Sequence, residues 1–269
     1  MKDLLQRIFI VLFVLLGVIN VSSAEPKIQA KIVEYKAQDV VMKGYLAYDE
    51  GIKGKRPGVL VVHEWWGVND YIRRRARMLA EIGYVALALD MYGEGKQAMH
   101  PTDAGKFSSE LMQNFDVSKG RFLAAMDFLK QQVMVDPTRV AAIGYCFGGG
   151  VVLNMARQGV DLKGVASFHG SLKAVKPAQP GGVKARVLVL HGADDKFIPQ
   201  EQIEAFQQEM RAAGADFQFT SYPGALHSFT NPEADENAKK FNMAIAYNAD
   251  ADKKSWDELK KFLKMIFGE

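Results

Sequence analysis

An α/β fold, with a mostly parallel central sheet covered by helices on both faces, is predicted by three features of the sequence. Short, mostly apolar runs recur at residues 59–62, 85–89, 140–143, 165–168 and 185–190, the pattern of strands buried on both faces. Amphipathic helical stretches alternate with them, which favours parallel strands joined by helical crossovers. Residues 25–269 are enough to bury one large core. No internal repeat, low-complexity tract or linker divides them.

The chain opens with Lys2, Arg7, an apolar run at 8–18 and the small-residue sequence Val21-Ser22-Ser23-Ala24. This reads as a secretory signal peptide, residues 1–24, cut after Ala24. An uncleaved anchor is the alternative, but the run falls short of the roughly 20 residues a spanning helix needs. A periplasmic or secreted, soluble protein of residues 25–269 is therefore expected, forming a single domain.

Residues 31–35 and 41–48 alternate apolar and polar and read as an opening antiparallel pair, and 51–57 as a polar turn. Helix is expected over 69–82, with Asp70 near its start and Gly83 as its stop. Residues 99–114 read as looser, with one short helix. Residues 118–133 read as an amphipathic helix closed by Asp136-Pro137. Beyond the strands already named, 200–213 reads as helix, 217–222 as strand and 255–267 as a final amphipathic helix.

Lysine and arginine total 34 against 31 acidic residues, a net charge of +3. That balance, without a basic patch interleaved with aromatics, argues against nucleic acid as a partner. Arg73-Arg74-Arg75 reads as a solvated helix face. The single cysteine cannot form an internal disulfide. The five histidines include no His-Glu-x-x-His, so no metal site is expected, and no cofactor. A monomer is the expected state.

The chemistry centres on Gly144-Tyr145-Cys146-Phe147-Gly148-Gly149. Gly-x-Cys-x-Gly after an apolar run, with a small-residue helical pattern following, has the form of a nucleophile elbow. The glycines are needed because a Cβ at Gly144 or Gly148 would collide across the tight turn. A buried hydrophobic cysteine and a phosphate-cradling turn are the alternatives. The spacing matches neither G-x-G-x-x-G nor a Walker motif.

In a parallel sheet, ligands sit beyond the carboxyl ends of the strands, where His63-Glu64, Asp90, Cys146, His169, His191 to Asp195 and His227 fall. A thiol nucleophile needs a base, and the base an orienting carboxylate. Cys146, Asp195 and His227 supply them in the order nucleophile, acid, histidine. Asp194 competes with Asp195; the Gly-x-x-Asp-x-x-Ile-Pro spacing favours Asp195. His169 and His191 read as structural hydrogen-bonding groups and His100 as surface. Glu64 is either catalytic or a solvent-facing loop carboxylate. Trp65 and Trp66 read as packing or as a pocket floor.

Together, His63-Glu64-Trp65-Trp66-Gly67, Asp90-Met91-Tyr92-Gly93, the elbow, Asp195-Lys196-Phe197-Ile198-Pro199 and His227-Ser228-Phe229 resemble the dienelactone hydrolases. These carboxymethylenebutenolidases are a cysteine-bearing branch of the α/β-hydrolases. The resemblance implies a Cys146–His227–Asp195 triad cleaving a small ester or lactone through a thioester, with Glu64 helping to activate the thiol. It also implies an oxyanion hole from the N–H groups of Phe147 and Trp65, and Trp66, Tyr92 and Tyr145 are assigned to the substrate pocket. The family grips a substrate carboxylate with two arginines, at positions where this chain has Glu94 and Asn231. A neutral ester or lactone is accordingly expected. A thiol peptidase or acyltransferase on the same fold, and a binding protein with a relict site, remain alternatives.

Overall fold

The computed structural model describes residues 25–268; the predicted signal peptide lies outside them. Strands β1 (Ile28–Ala37) and β2 (Val40–Asp49) form the expected antiparallel pair. The buried runs become β3 (Arg56–Val62), β4 (Val85–Leu89), β5 (Val135–Tyr145), β6 (Gly164–Phe168) and β7 (Arg186–Gly192), with β8 (Phe217–Tyr222) last. These eight form one sheet in the order β1-β2-β4-β3-β5-β6-β7-β8. From β4 to β8 every neighbouring pair is parallel.

Strand alternation divides the core between the two faces. Leu60, Val62, Leu87, Val140 and Ala142 point to the face covered by α3 (Phe115–Lys130), α4 (Phe147–Arg157) and α5 (Gln200–Ala212). Val59, Val61, Ala86, Ala141 and Ile143 point to the face covered by α1 (Asp70–Glu81) and α7 (Ala249–Phe267). The central strands thus look unbrokenly apolar because each lies between two helical layers.

Some expectations need correction. Asp136-Pro137 does not close α3, which already ends at Lys130. It lies at an irregularity where β3 pairing jumps from Val135 to Val140, and Asp136 accepts the Thr138 N–H in a local turn. Residues 101–113 form a full helix, α2 (Pro101–Gln113), begun by His100, whose Nδ1 accepts the Thr102 N–H. The short helix α6 (Ala234–Phe241) was not anticipated, and α7 starts six residues earlier than the pattern suggested. Arg75 is no solvated residue: it is buried, ion-paired with Asp252 and donates to the Thr230 carbonyl. Asn69, rather than Asp70, caps α1 by accepting the Ile72 N–H.

Candidate active site

The turn from β5 into α4 holds Cys146 at φ 53° and ψ −115°, a conformation that side chains rarely adopt. A Cβ on Gly144 would lie 2.1 Å from the Gly148 carbonyl oxygen, and one on Gly148 would lie 2.3 Å from that of Val62. Only glycine fits at either position. The Cys146 N–H is shared between the Phe168 carbonyl at 3.0 Å and His169 Nδ1 at 3.2 Å. His169 therefore carries its proton on Nε2 and donates to Thr230 Oγ1 at 2.8 Å. Burial pushes the His169 pKa well below its ordinary value, and the nearby His227 pushes the same way. It is a neutral brace for the elbow.

Past β7, the chain turns so that Asp195 is buried while Asp194 is exposed. Asp195 Oδ1 accepts the Phe197 N–H at 2.9 Å, and Oδ2 lies 2.7 Å from His227 Nδ1. His227 stands on the loop after β8. Its carbonyl accepts the Ala246 N–H, and two residues on the Phe229 carbonyl accepts that of Asn248, so the segment before α7 steadies this loop. Burial opposes charge on His227, but the Cys146 sulfur and the Asp195 carboxylate outweigh it, and its pKa is pushed up to about 10. Cys146, His227 and Asp195 are thus brought together by three strand ends.

Cys146 and His227 open into a cavity of about 340 Å³. Its apolar wall comes from Trp65, Met112, Phe147, Phe197, Ile198 and Met243, and the polar residues Ser108, Ser109, Ser171 and Ser228 complete the lining. Among the described residues, no Lys, Arg, Asp or Glu lines it. The N–H groups of Trp65 and Phe147 donate to no protein acceptor among the described residues. Trp65 lies on the loop after β3 and Phe147 opens α4, and both residues line the cavity with Cys146.

Trp66, Tyr92 and Tyr145 do not line this cavity. Trp66 packs with Ala98, Ala104 and Phe241, and the Tyr92 hydroxyl donates to the Trp65 carbonyl at 2.8 Å. Tyr145 shares the strand parity of Ala141 and Ile143, so it faces α1 and stacks on Phe168. The residues that do form the wall, Met112 on α2 and Met243 after α6, carried no local signal. Only the tertiary fold brings them there.

Residues 42–267 match the model of the dienelactone hydrolase family. The chain belongs to that family. Its relatives include protein usf of Aquifex pyrophilus, 29% identical over 77% of this chain and 89% of the relative. The dienelactone hydrolase-like promiscuous phosphotriesterase P91 from metagenomic libraries is 35% identical, covers 89% of this chain and 99% of its own, and superposes with a TM-score of 0.82. MGS-M1, an α/β hydrolase from a Medee basin deep-sea metagenome, shares the fold at 16% identity, with a TM-score of 0.61 over 89% of this chain and 99% of its own. The protein is a hydrolase of the ester and lactone class with an α/β-hydrolase fold.

Against the dienelactone hydrolase pattern, two positions stand out. Glu94, in place of one arginine, is exposed on a separate surface beside Lys43 and Gly95 and does not reach the cavity. Asn231, in place of the other, is buried and turned away from the cavity. Its Nδ2 donates to Glu64 Oε2 at 2.8 Å, while Ser228 Oγ donates to Oε1 at 3.2 Å. Burial raises the Glu64 pKa to about 6, with those hydrogen bonds and His227 holding it down and Glu233 adding to the rise. The carboxylate is thus directed at the histidine loop.

Proposed function

We propose that this dienelactone hydrolase family member cleaves neutral, apolar carboxylic esters or lactones through Cys146, with His227 as acid and base and Asp195 orienting it. The observation that carries this reading is the 2.7 Å contact between His227 Nδ1 and Asp195, with the other face of the imidazole coupled to Cys146 at the cavity floor. The sulfur attacks the carbonyl carbon, forming a C–S bond as the carbonyl electron pair moves onto oxygen. The N–H groups of Trp65 and Phe147 receive that oxyanion. Collapse breaks the C–O bond, and the His227 proton goes to the leaving oxygen.

Acylation also changes the base. Its raised pKa rests first on the negative sulfur, and a thioester carries no such charge. Burial then favours the neutral imidazole. That imidazole takes a proton from water as hydroxide adds to the thioester; the C–S bond breaks and the acid leaves. In a lactone the leaving oxygen stays on the acyl chain throughout, and the product is a single hydroxy acid.

The cavity has no Lys or Arg, and its imidazolium is already engaged by the Cys146 sulfur and Asp195, which supports neutral substrates, since a carboxylate entering it would lose its hydration without gaining a free cation. A slower reaction at a neutral phosphotriester is a second reading, supported by the 35% identity to the phosphotriesterase P91. Export, with the mature chain starting at Glu25, is proposed from the leader pattern and is checked by the intact mass of the secreted protein.

Hydrolysis of p-nitrophenyl acetate, with mass spectrometry of the quenched enzyme, tests the reading. Wild type should turn over and carry an acetyl group on Cys146, and Cys146→Ala should do neither. Equal turnover by both proteins overturns it. Paraoxon in the same assay tests the second reading.

A further inference from the structure

Glu64 and Trp65 are chain neighbours on the loop after β3, whereas His227, Ser228 and Asn231 share the loop after β8. Glu64 is 1% exposed, and its carboxylate takes one hydrogen bond from each of Ser228 and Asn231. Among the described residues, no other side-chain hydrogen bond joins these two loops so close to the thiol. One loop carries the N–H proposed for the oxyanion and the other carries the imidazole, so their spacing decides whether both reach one carbonyl. A misplacement of about 1 Å costs on the order of 10²-fold in rate.

Resting on the reading above, we propose that Asn231 and Ser228 are positioning residues that lock Glu64 as a tether between the oxyanion loop and the histidine loop. Asn231 suits the task because its two ends are both engaged: Nδ2 donates to Glu64, and Oδ1 accepts the Glu233 N–H at 3.0 Å. An arginine there would present cationic donors to the cavity. The amide instead satisfies the buried carboxylate with no charge left over for a substrate.

The tether has a donor on position 231 and an acceptor on position 64, and that complementarity can be exchanged. Asn231→Asp keeps the acceptor for Glu233 N–H but sets a second carboxylate against Glu64. Glu64→Gln can still accept from Asn231 through its amide oxygen if its NH2 faces Ser228 and that hydroxyl turns to accept, so it exchanges a charge-assisted contact for a neutral one. Asn231→Asp, which leaves two buried carboxylates opposed, should lose about tenfold or more in kcat, and Glu64→Gln less. In the double variant, the new amide at position 64 donates to the new carboxylate at position 231 and still accepts from Ser228. The pairing is thus restored with the same total charge.

The experiment measures kcat and KM for p-nitrophenyl acetate on wild type, both single variants, the double variant and Cys146→Ala. Recovery of the double variant to within about threefold of wild-type kcat, from Asn231→Asp at least about tenfold down with KM little moved, supports the tether. A double variant no more active than Asn231→Asp overturns it, because the carboxylate is then needed at position 64 itself. So does Asn231→Asp with wild-type kcat. If a single variant fails to fold, the activity of the double variant decides alone. Turnover retained by Cys146→Ala would instead strike the cysteine reading, leaving the two failures distinguishable.

Discussion

His227 Nδ1 and Asp195 Oδ2 lie 2.7 Å apart, and the carboxylate is buried behind the ring. With Nδ1 engaged by Asp195, Nε2 is the ring nitrogen left for the proposed proton exchange with Cys146, and the carboxylate favours the charged ring. Asp195→Asn should therefore lower kcat for an ester substrate by about 10²- to 10⁴-fold while preserving the fold. Asp194→Asn, at an exposed position one residue away, should stay within about twofold of wild type. Steady-state kinetics on the two variants check the assignment.

The charge state of His227 should depend on the sulfur. Its pKa, pushed up to about 10, is held there against burial by Cys146 first and Asp195 next. In wild type the ring should thus stay protonated as pH rises through its ordinary 6.5, and deprotonate only toward pH 10. Cys146→Ala removes the leading upward influence, so the midpoint should fall while burial pulls it further down. NMR titration of the His227 ring measures both. Identical midpoints in the two proteins would contradict the coupling.

The uncharged wall predicts a substrate preference and its reversal. A neutral p-nitrophenyl ester should exceed a carboxylate-bearing analogue by about tenfold or more in kcat/KM, because the anion finds no Lys or Arg in the cavity and the His227 ring is already engaged by Cys146 and Asp195. Met243→Lys places an ammonium on that wall. It should narrow the ratio by raising turnover of the acidic ester, and competition between the two esters reads this out directly.

Much of this was legible in the residues, and the exceptions have physical reasons. Val59 to Val62 and Val85 to Leu89 are apolar at every position, which only doubly buried strands require. The elbow announced itself because Gly144 and Gly148 tolerate no side chain. Helix α2 was obscured because it buries only Ala104 and Leu111 and relies on a histidine cap. Met112 and Met243 could not be assigned to the cavity, since each reaches it through packing of distant segments. Tyr145 was expected in the pocket. Strand alternation from Ala141 and Ile143 already puts it on the opposite face. Asn231 was read for the arginine it lacks, and its bond to Glu64 required both loops to be in place.

Two glycine substitutions should move stability in opposite directions. At Gly148 a new Cβ would sit 2.3 Å from the Val62 carbonyl oxygen and 2.7 Å from that of His63. Both are backbone atoms of a central strand end, so neither can yield without shifting β3 against α4. Gly148→Ala should cost about 3 kcal/mol or more and abolish esterase activity, since the displaced helix start carries Cys146 and the Phe147 N–H. Gly120 lies exposed inside α3, with nothing within 4 Å of its added Cβ. There the substitution only restricts the unfolded chain and favours helix, so Gly120→Ala should stabilise by about 0.5–1 kcal/mol. At this chain length that is a rise in Tm of about 2–4 °C per kcal/mol, with unchanged kinetics. Thermal melts and ester turnover on the same two preparations separate the outcomes.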